Sequence, residues 1–543
     1  MPKYGANMPA ITRLCLVTVF LCIALPSGLH GQARPESQPI SVTIDTRDPG
    51  TPFPHFWEQI FGSGRAILSL RQSYRDDLRT VKGVTDFEAV RFHGIFMDDV
   101  GLYDPNAQTQ NPGQAAQNAP RGQSPYNFSY IDQIYDGLLA NHIHPFVELS
   151  FMPKKMASDP AALHAFWYKQ NVSPPKDYAL WDAMITAFTQ HLIDRYGIEE
   201  VSKWRFEVWN EPNLDFWVGN PKQSTYFELY DHTALAIKKV STRIRVGGPS
   251  TAQAAWVAAF LQHCKQNNIS VDFVTTHVYA NDTAKDVFGT DEIIPRDRMV
   301  CRSVAKVHDE IAASPFPHIP LIFSEYNASY ANEPDVTDTV YMGPWLATTI
   351  SQCDGLTEAM SYWSFSDVFE EQGVIKTPFY GGFGLVAEDG IPKPALNAFA
   401  MLHQLGDHRI KVNSDSALAT HRNDGAIAIA LWNYAPPFGT GATHAPPPIN
   451  VGPSKTFTLK LIGARPNAAV QIWRLDADHG NVIKTYDAMG RPAFPTRDQI
   501  AQLRAAGKPS APKTAALSNG SLTVTIPPQG LVLIKLSSQV VAQ

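Results

Sequence analysis

Between about residues 56 and 400 the chain alternates short apolar runs with longer stretches whose apolar positions recur every three or four residues. The short runs are 56–61, 89–94, 144–150, 205–211, 244–250, 272–279, 320–326 and 359–365. Runs of this length, rich in β-branched and aromatic residues, predict strands, and the periodic stretches between them predict helices. The clearest helical patterns are 130–140, 178–196, 226–240 and 340–352. Over 178–196, Leu180, Met184, Phe188, Leu192 and Ile193 fall on one face. Strand–helix alternation implies a parallel sheet, because parallel neighbours need a long crossover connection. Eight such units predict an α/β fold of the (β/α)8 barrel type rather than an open doubly wound sheet. No Gly-x-Gly-x-x-Gly turn follows the first strand to hold a dinucleotide.

After about residue 406 the pattern changes to short alternating runs at 426–432, 456–461, 469–474, 522–526 and 531–536, separated by loops rich in Pro, Gly and Asn such as 435–453. This period of two predicts a small β-sandwich. Residues 41–44 alternate in the same way and are expected to join it. The expected organisation is therefore a barrel over 55–405 and a β-sandwich with inserted surface loops over 406–543, with 34–54 contributing to the sandwich. Residues 489–513 read as a polar insertion with a helical piece at 499–506. Residues 106–124, rich in Gln, Asn and Pro, read as a long loop on the functional face, able either to wall a pocket or to open it.

The first 33 residues resemble an export signal: Lys3 and Arg13, an apolar run from Leu14 to Leu25, and small residues at Gly31 to Ala33. That run is short for a bilayer span; a retained anchor is the alternative reading. Cleavage after residue 33 removes two basic groups and no acid, taking the formal net charge from −6 to −8. An acidic chain without a basic run argues against nucleic acid or an anionic membrane as partner, and the expected location is secreted or periplasmic. Cys264, Cys301 and Cys353 would remain, an odd set that allows at most one disulfide. Cys301 and Cys353 are expected to be buried free thiols. No Cys-x-x-Cys pair is present for zinc, and neither a metal nor a cofactor is expected.

In a (β/α)8 barrel the functional residues gather at the carboxyl ends of the strands. There stand Arg91 and His93 on strand two, Glu148 on strand three, Asn210 and Glu211 on strand four, His277 and Tyr279 on strand six, Glu325 on strand seven and Trp363 on strand eight. Glu211 and Glu325 close the strings Trp204-Arg-Phe-Glu-Val-Trp-Asn-Glu-Pro-Asn213 and Pro320-Leu-Ile-Phe-Ser-Glu-Tyr-Asn327, 114 residues apart, which fits three βα units. A glutamate at the end of a buried strand is costly without a task. Two facing each other suit glycosidic bond cleavage, with one carboxyl protonated and the other ionised. Asn210 is placed to hydrogen-bond a sugar 2-hydroxyl, Tyr279 to hold the ionised carboxylate, Trp363 to lie against a sugar ring, and His93 and His277 to contact hydroxyls. Arg91 reads as an ion-pair partner of a barrel carboxylate such as Glu148. His142-Ile-His144 has the look of a metal pair but precedes strand three, on the opposite face. No Gly-x-Ser-x-Gly elbow occurs. A sugar-binding barrel without activity, or a metal-dependent hydrolase built on His277 and the acids, are the alternatives of other classes.

These strings also resemble those of glycoside hydrolase family 39. The resemblance extends through Phe61-Gly-Ser-Gly-Arg-Ala66, Arg91-Phe-His-Gly94, Met97-Asp-Asp99, Thr276-His-Val-Tyr279, Tyr362-Trp-Ser-Phe-Ser-Asp-Val-Phe-Glu-Glu371, Gly381-Gly-Phe-Gly-Leu385 and Met489-Gly-Arg-Pro492. It implies a retaining double displacement with Glu211 as acid/base and Glu325 as nucleophile. It implies a first sugar subsite lined by His93, Asn210, His277, Tyr279 and Trp363, with Glu371 reaching substrate from the loop after strand eight. The substrate it implies is an oligosaccharide or polysaccharide. The 363–373 loop is more similar to the bacterial β-xylosidases than to the iduronidases and carries no cation for a uronate carboxylate. An exo-acting β-xylosidase is the expectation; an iduronidase-like, arabinosidase or exopolysaccharide-degrading activity of the same family is the alternative. Oligomeric state is not legible.

Overall fold

The computed structural model describes residues 39–105, 124–437 and 452–537. The expected export signal, most of the 106–124 loop and most of the 435–453 loop lie outside them. Eight parallel strands close into a barrel in chain order: Ile60–Ser63, Ala89–Phe92, His144–Leu149, Arg205–Val208, Arg245–Thr251, Phe273–Tyr279, Leu321–Asn327 and Ala359–Tyr362. Pairing of Tyr362 with Phe61 seals it. The outer helices include Ser129–Leu139, Tyr178–Tyr196, Lys222–Val240 and Met342–Cys353. The helix over 178–196 begins and ends where its periodicity and caps place it. Asp177 accepts the N–H of Ala179 at its start, and Gly197 (φ 80°) follows it.

Inward-facing side chains are stacked in layers, because successive strand residues alternate between barrel interior and helix layer. The lowest layer is apolar: Ile60, Ala89, Phe146, Phe273, Ile322 and Ala359. Two residues further along the second, third and fourth strands the layer is ionic, with Arg91, Glu148 and Glu207 all fully buried. The next layer opens on the functional face. The same alternation therefore sets both the plug and the charged floor above it.

Two further sheets pack face to face. One joins Ile40–Asp45, Lys455–Ile462 and Ser521–Ile526, with the N-terminal strand parallel to its neighbour. The other has seven strands, among them Ile427–Asn433, Ala469–Leu475 and Gly530–Leu536. Val42, Ile44, Phe457 and Leu459 meet Ile429, Leu431, Val532 and Ile534 between them.

One expectation is corrected. Cys301 and Cys353 are not free thiols but a disulfide, since the helices Arg296–Ala312 and Met342–Cys353 are neighbours and bring the two Cα atoms to 5.2 Å. Cys264 is the buried free thiol. The polar insertion carries the expected helix, Arg497–Ala506, and a further helix, Val482–Ala488, forms just ahead of it. Val482, Tyr486 and Leu503 bury together with Phe379 and Ile391.

Candidate active site

Two local departures from regular strand geometry place the key carboxylates. The fourth strand stops at Val208, three residues short of its apolar pattern. Trp209 (φ 72°) and Glu211 (φ 44°) then adopt left-handed backbone, strain of the kind that accumulates at functional sites. The turn is held by the Glu211 N–H donating to Ser250 O at 2.7 Å and the Trp209 indole donating to Phe216 O at 2.7 Å. In the seventh strand the pairing slips by one residue, so that Thr276 faces Phe323 but His277 faces Glu325. This bulge lets the consecutive residues Ser324 and Glu325 both engage the barrel interior, as bulges beside active sites do.

Glu211 and Glu325 meet over the ionic layer; one carboxyl oxygen of each and a His277 ring nitrogen lie within 4.8 Å of one another. The two carboxyls are held in different states. Glu325 accepts from Arg91 Nη1 at 2.7 Å on one oxygen and from the Tyr279 hydroxyl at 2.6 Å on the other, which suits a carboxylate. Arg91 also donates to Glu207 at 2.5 Å and to Asn210 Oδ1 at 2.9 Å, and pairs with Glu148 at 2.8 Å. Burial opposes the guanidinium charge, but Glu148, Glu207 and Glu325 outweigh it and raise the pKa above the ordinary arginine value.

Glu211 is different. Burial is the main cause that raises its pKa to about 7. The hydrogen bonds beneath it agree. The Ser324 hydroxyl donates to Glu207 at 2.6 Å, so Ser324 Oγ accepts from His277 Nε2–H at 3.1 Å. Burial lowers the His277 pKa to about 4 and keeps the ring neutral. Its Nδ1 is then an acceptor, and Glu211 at 2.9 Å supplies the proton. The chain Glu211–His277–Ser324–Glu207 stores a proton on Glu211.

A cavity of about 500 Å³ opens above the pair. His93, Asn210, Tyr279, Trp363 and Glu371 all line it, as the sequence places them. Because Arg91 takes the Asn210 oxygen, the amide nitrogen is the group left to offer a donor. His93 bonds Glu148 through Nδ1 at 2.7 Å and directs Nε2 to within 3.8 Å of Glu371 and 3.9 Å of Glu325. Trp363 reaches its place because the second residue of the Phe61-Gly-Ser motif is Gly62: a Cβ there would stand 2.2 Å from the indole. Phe369 and Phe383 back the indole and close that end. Burial raises the Glu371 pKa to about 8. One expectation is corrected: His277 is fully buried behind the carboxyls with both nitrogens engaged, so it supports Glu211 instead of contacting sugar hydroxyls. Glu207 and Ser324 escaped the sequence reading because the strand pattern alone does not tell which polar residues point inward; the inward alternation with Glu148 was the available signal. His144, from the His-Ile-His string, bonds Glu200 on the opposite face at 2.7 Å.

The Glu211, His277 and Glu325 atoms lie close enough to bracket a metal ion, but their donor set does not suit one. Both Glu325 oxygens already accept hydrogen bonds, and the Arg91 cation sits at one of them. A stored proton 4.8 Å or less from a fixed carboxylate equips the site to protonate a leaving oxygen and attack the carbon beside it.

Comparison with known proteins agrees with this geometry. The sequence profile described as glycosyl hydrolases family 39 matches residues 40–523. A β-xylosidase of Geobacillus stearothermophilus is 39% identical over 460 residues, covering 83% of this chain and 86% of that protein. The crystal structure of a monomeric β-xylosidase from Caulobacter crescentus CB15 superposes with a TM-score of 0.79 at 33% identity, covering 92% of this chain and 99% of that one. Human α-L-iduronidase is 24% identical over 450 residues, 74% of this chain and 65% of that protein.

Proposed function

The chain belongs to glycosyl hydrolases family 39, and from that premise we infer that it is a retaining, exo-acting β-xylosidase that releases xylose from xylo-oligosaccharides. The observation that carries the reaction is the pairing of a proton-storing Glu211 with a donor-clamped Glu325, one oxygen of each lying within 4.8 Å of the other, a close approach that favours direct attack by Glu325 over an intervening water. Glu211 gives its proton to the glycosidic oxygen while Glu325 attacks the anomeric carbon. The C–O bond breaks, the leaving group departs as an alcohol, and a glycosyl ester forms on Glu325. Glu211, now ionised, takes a proton from water as the water oxygen attacks the same carbon and Glu325 leaves. Two inversions retain configuration, and Glu211 recovers its proton.

Selection of a neutral sugar is supported by the lining. Among the described residues no Lys or Arg faces the cavity to pair with a uronate carboxylate. The aromatic wall of Trp363, Phe369 and Phe383 closes the glycone end, which suits attack at chain termini. We also propose that residues 1–33 direct export; the amino terminus of the protein recovered outside the cytoplasm should begin near residue 34. The test of the activity is proton NMR of 4-nitrophenyl β-xyloside hydrolysis, run beside the α-L-arabinoside and α-L-iduronide. Initial release of β-xylose supports the reading. Initial α-xylose, or silence on the xyloside with turnover of another glycone, would overturn it.

A further inference from the structure

His164, in the loop after the third barrel strand, stands on the cavity wall without a role in the chemistry described so far. Its ring stacks on Phe216 at 4.0 Å between centroids and 17° between planes, and Phe216 stacks in turn on Phe151. The imidazole is thus the outer plate of a three-ring stack. Its backbone is pinned: the His164 N–H donates to Gln170 O at 2.9 Å, and three residues on the Trp167 N–H donates to Glu371 O at 2.8 Å. The tautomer is pinned as well. Nδ1 accepts the Phe166 N–H at 3.2 Å, so a neutral ring carries its proton on Nε2. Burial lowers the ring's pKa to about 4 and keeps it neutral. Among the described residues no protein group accepts from Nε2. Phe216 belongs to the segment that follows Glu211, and Asn213, Leu214, Asp215 and Phe216 line the cavity together with His164, so the ring shares its wall with the chain segment that carries the proton donor. The group that receives that proton is the leaving group.

We propose that His164 is a leaving-group-binding residue: its face packs on the unit next to the scissile bond, and its Nε2–H donates to a hydroxyl of that unit. The enzyme thereby prefers sugar leaving groups over those without a hydroxyl in that place. This rests on the glycosidase reading above. Hydrogen-bonded sites discriminate strongly against ligands that lack the partner group, because the site's donor is then left unpaired.

The test compares xylobiose with phenyl β-xyloside, whose leaving group can stack but has no hydroxyl to offer. His164→Phe keeps the plate and removes the donor. His164→Asn can still accept the Phe166 N–H, as Asx turns do, and so preserves the loop while shortening the reach. In both variants kcat/KM on xylobiose should fall by about tenfold, the loss of one hydrogen bond, while His164→Phe keeps phenyl xyloside within about twofold of wild type. Equal losses on the two substrates, or unchanged xylobiose turnover in both variants, would overturn the assignment. Wild-type silence on both xylosides would count against the β-xylosidase reading instead. The same pair built on the glycone the enzyme does accept then decides His164 by the same ratio.

Discussion

The two ends of the barrel bury the same residue types and settle them in opposite ways. On the amino-terminal side, Glu58 is fully buried and bonded by His55 and by His403, the latter at 3.0 Å. Burial opposes its charge, but the two histidines outweigh this and lower the Glu58 pKa, while Glu58 raises that of His403. At the other end five carboxyls, Glu148, Glu207, Glu211, Glu325 and Glu371, gather around Arg91 and His93. Donors suffice for Glu148, Glu207 and Glu325, and a proton has to be stored on the others. A buried carboxylate with its own partners is structural; a surplus of carboxyls over cations is what makes an acid available near neutral pH.

The sharpest way to break that contrast is to remove the clamped carboxylate. Glu325→Ala should cost at least ~10⁴-fold in kcat on 4-nitrophenyl β-xyloside, with azide restoring turnover as the α-xylosyl azide. Next is the stored proton. Glu211→Gln should lower kcat/KM on xylobiose by about 10²–10⁴-fold and far less on substrates whose leaving group needs no proton. In the wild type the rate on xylobiose should fall as pH rises through about 7, and a pH profile of the variant should lack that limb. Tyr279→Phe removes one donor from Glu325; loss of a hydrogen bond to a charged group predicts about a 10–100-fold drop in kcat on the aryl xyloside.

The smallest rate effect belongs to the opposite end. Glu58→Gln should leave kcat unchanged and lower the unfolding free energy by about 1–3 kcal/mol, read by denaturant melts. The two buried carboxyls, Glu58 and Glu211, respond to pH with opposite signs. Because the Glu58 pKa is lowered in the fold, its stabilisation is present above the ordinary 4.5 and lost as pH falls further. His403, raised above 6.5, contributes below that value and loses its contribution as pH rises through its folded pKa. Glu211, raised to about 7, favours the fold while protonated, and this contribution fades as pH rises from 4.5 through 7. Wild-type stability should therefore decline from pH 6 to 8, with a smaller decline in Glu211→Gln.

Much of this was legible before the fold was known, because period two and period 3.6 separate strands from helices and the barrel places strand ends together. Glu211 and Glu325 stand where that logic puts them. What remained hidden depends on local breaks in regularity. The left-handed Trp209 and Glu211 end their strand early although the apolar run continues. The bulge at Ser324 turns two neighbouring residues inward, which alternation forbids. Consequently the proton-storing chain through His277 and Ser324 to Glu207 could not be read from spacing, and His277 was expected at the sugar. His164 gave no signal at all, since its position depends on a loop whose ring contacts are tertiary. The Cys301–Cys353 bridge likewise required knowing that two helices 52 residues apart are neighbours.

In the proposed reaction Glu325 carries the sugar between the two steps while Glu211 carries the proton. The direct measurement is mass spectrometry of the enzyme inactivated by a 2-deoxy-2-fluoro-β-xylosyl fluoride, followed by peptide mapping of the adduct. One 2-deoxy-2-fluoroxylosyl ester is expected, on the peptide containing Glu325, in both the wild type and Glu211→Gln. An ester on Glu371 or Glu211, or turnover of the natural substrate without any trappable adduct, would contradict it.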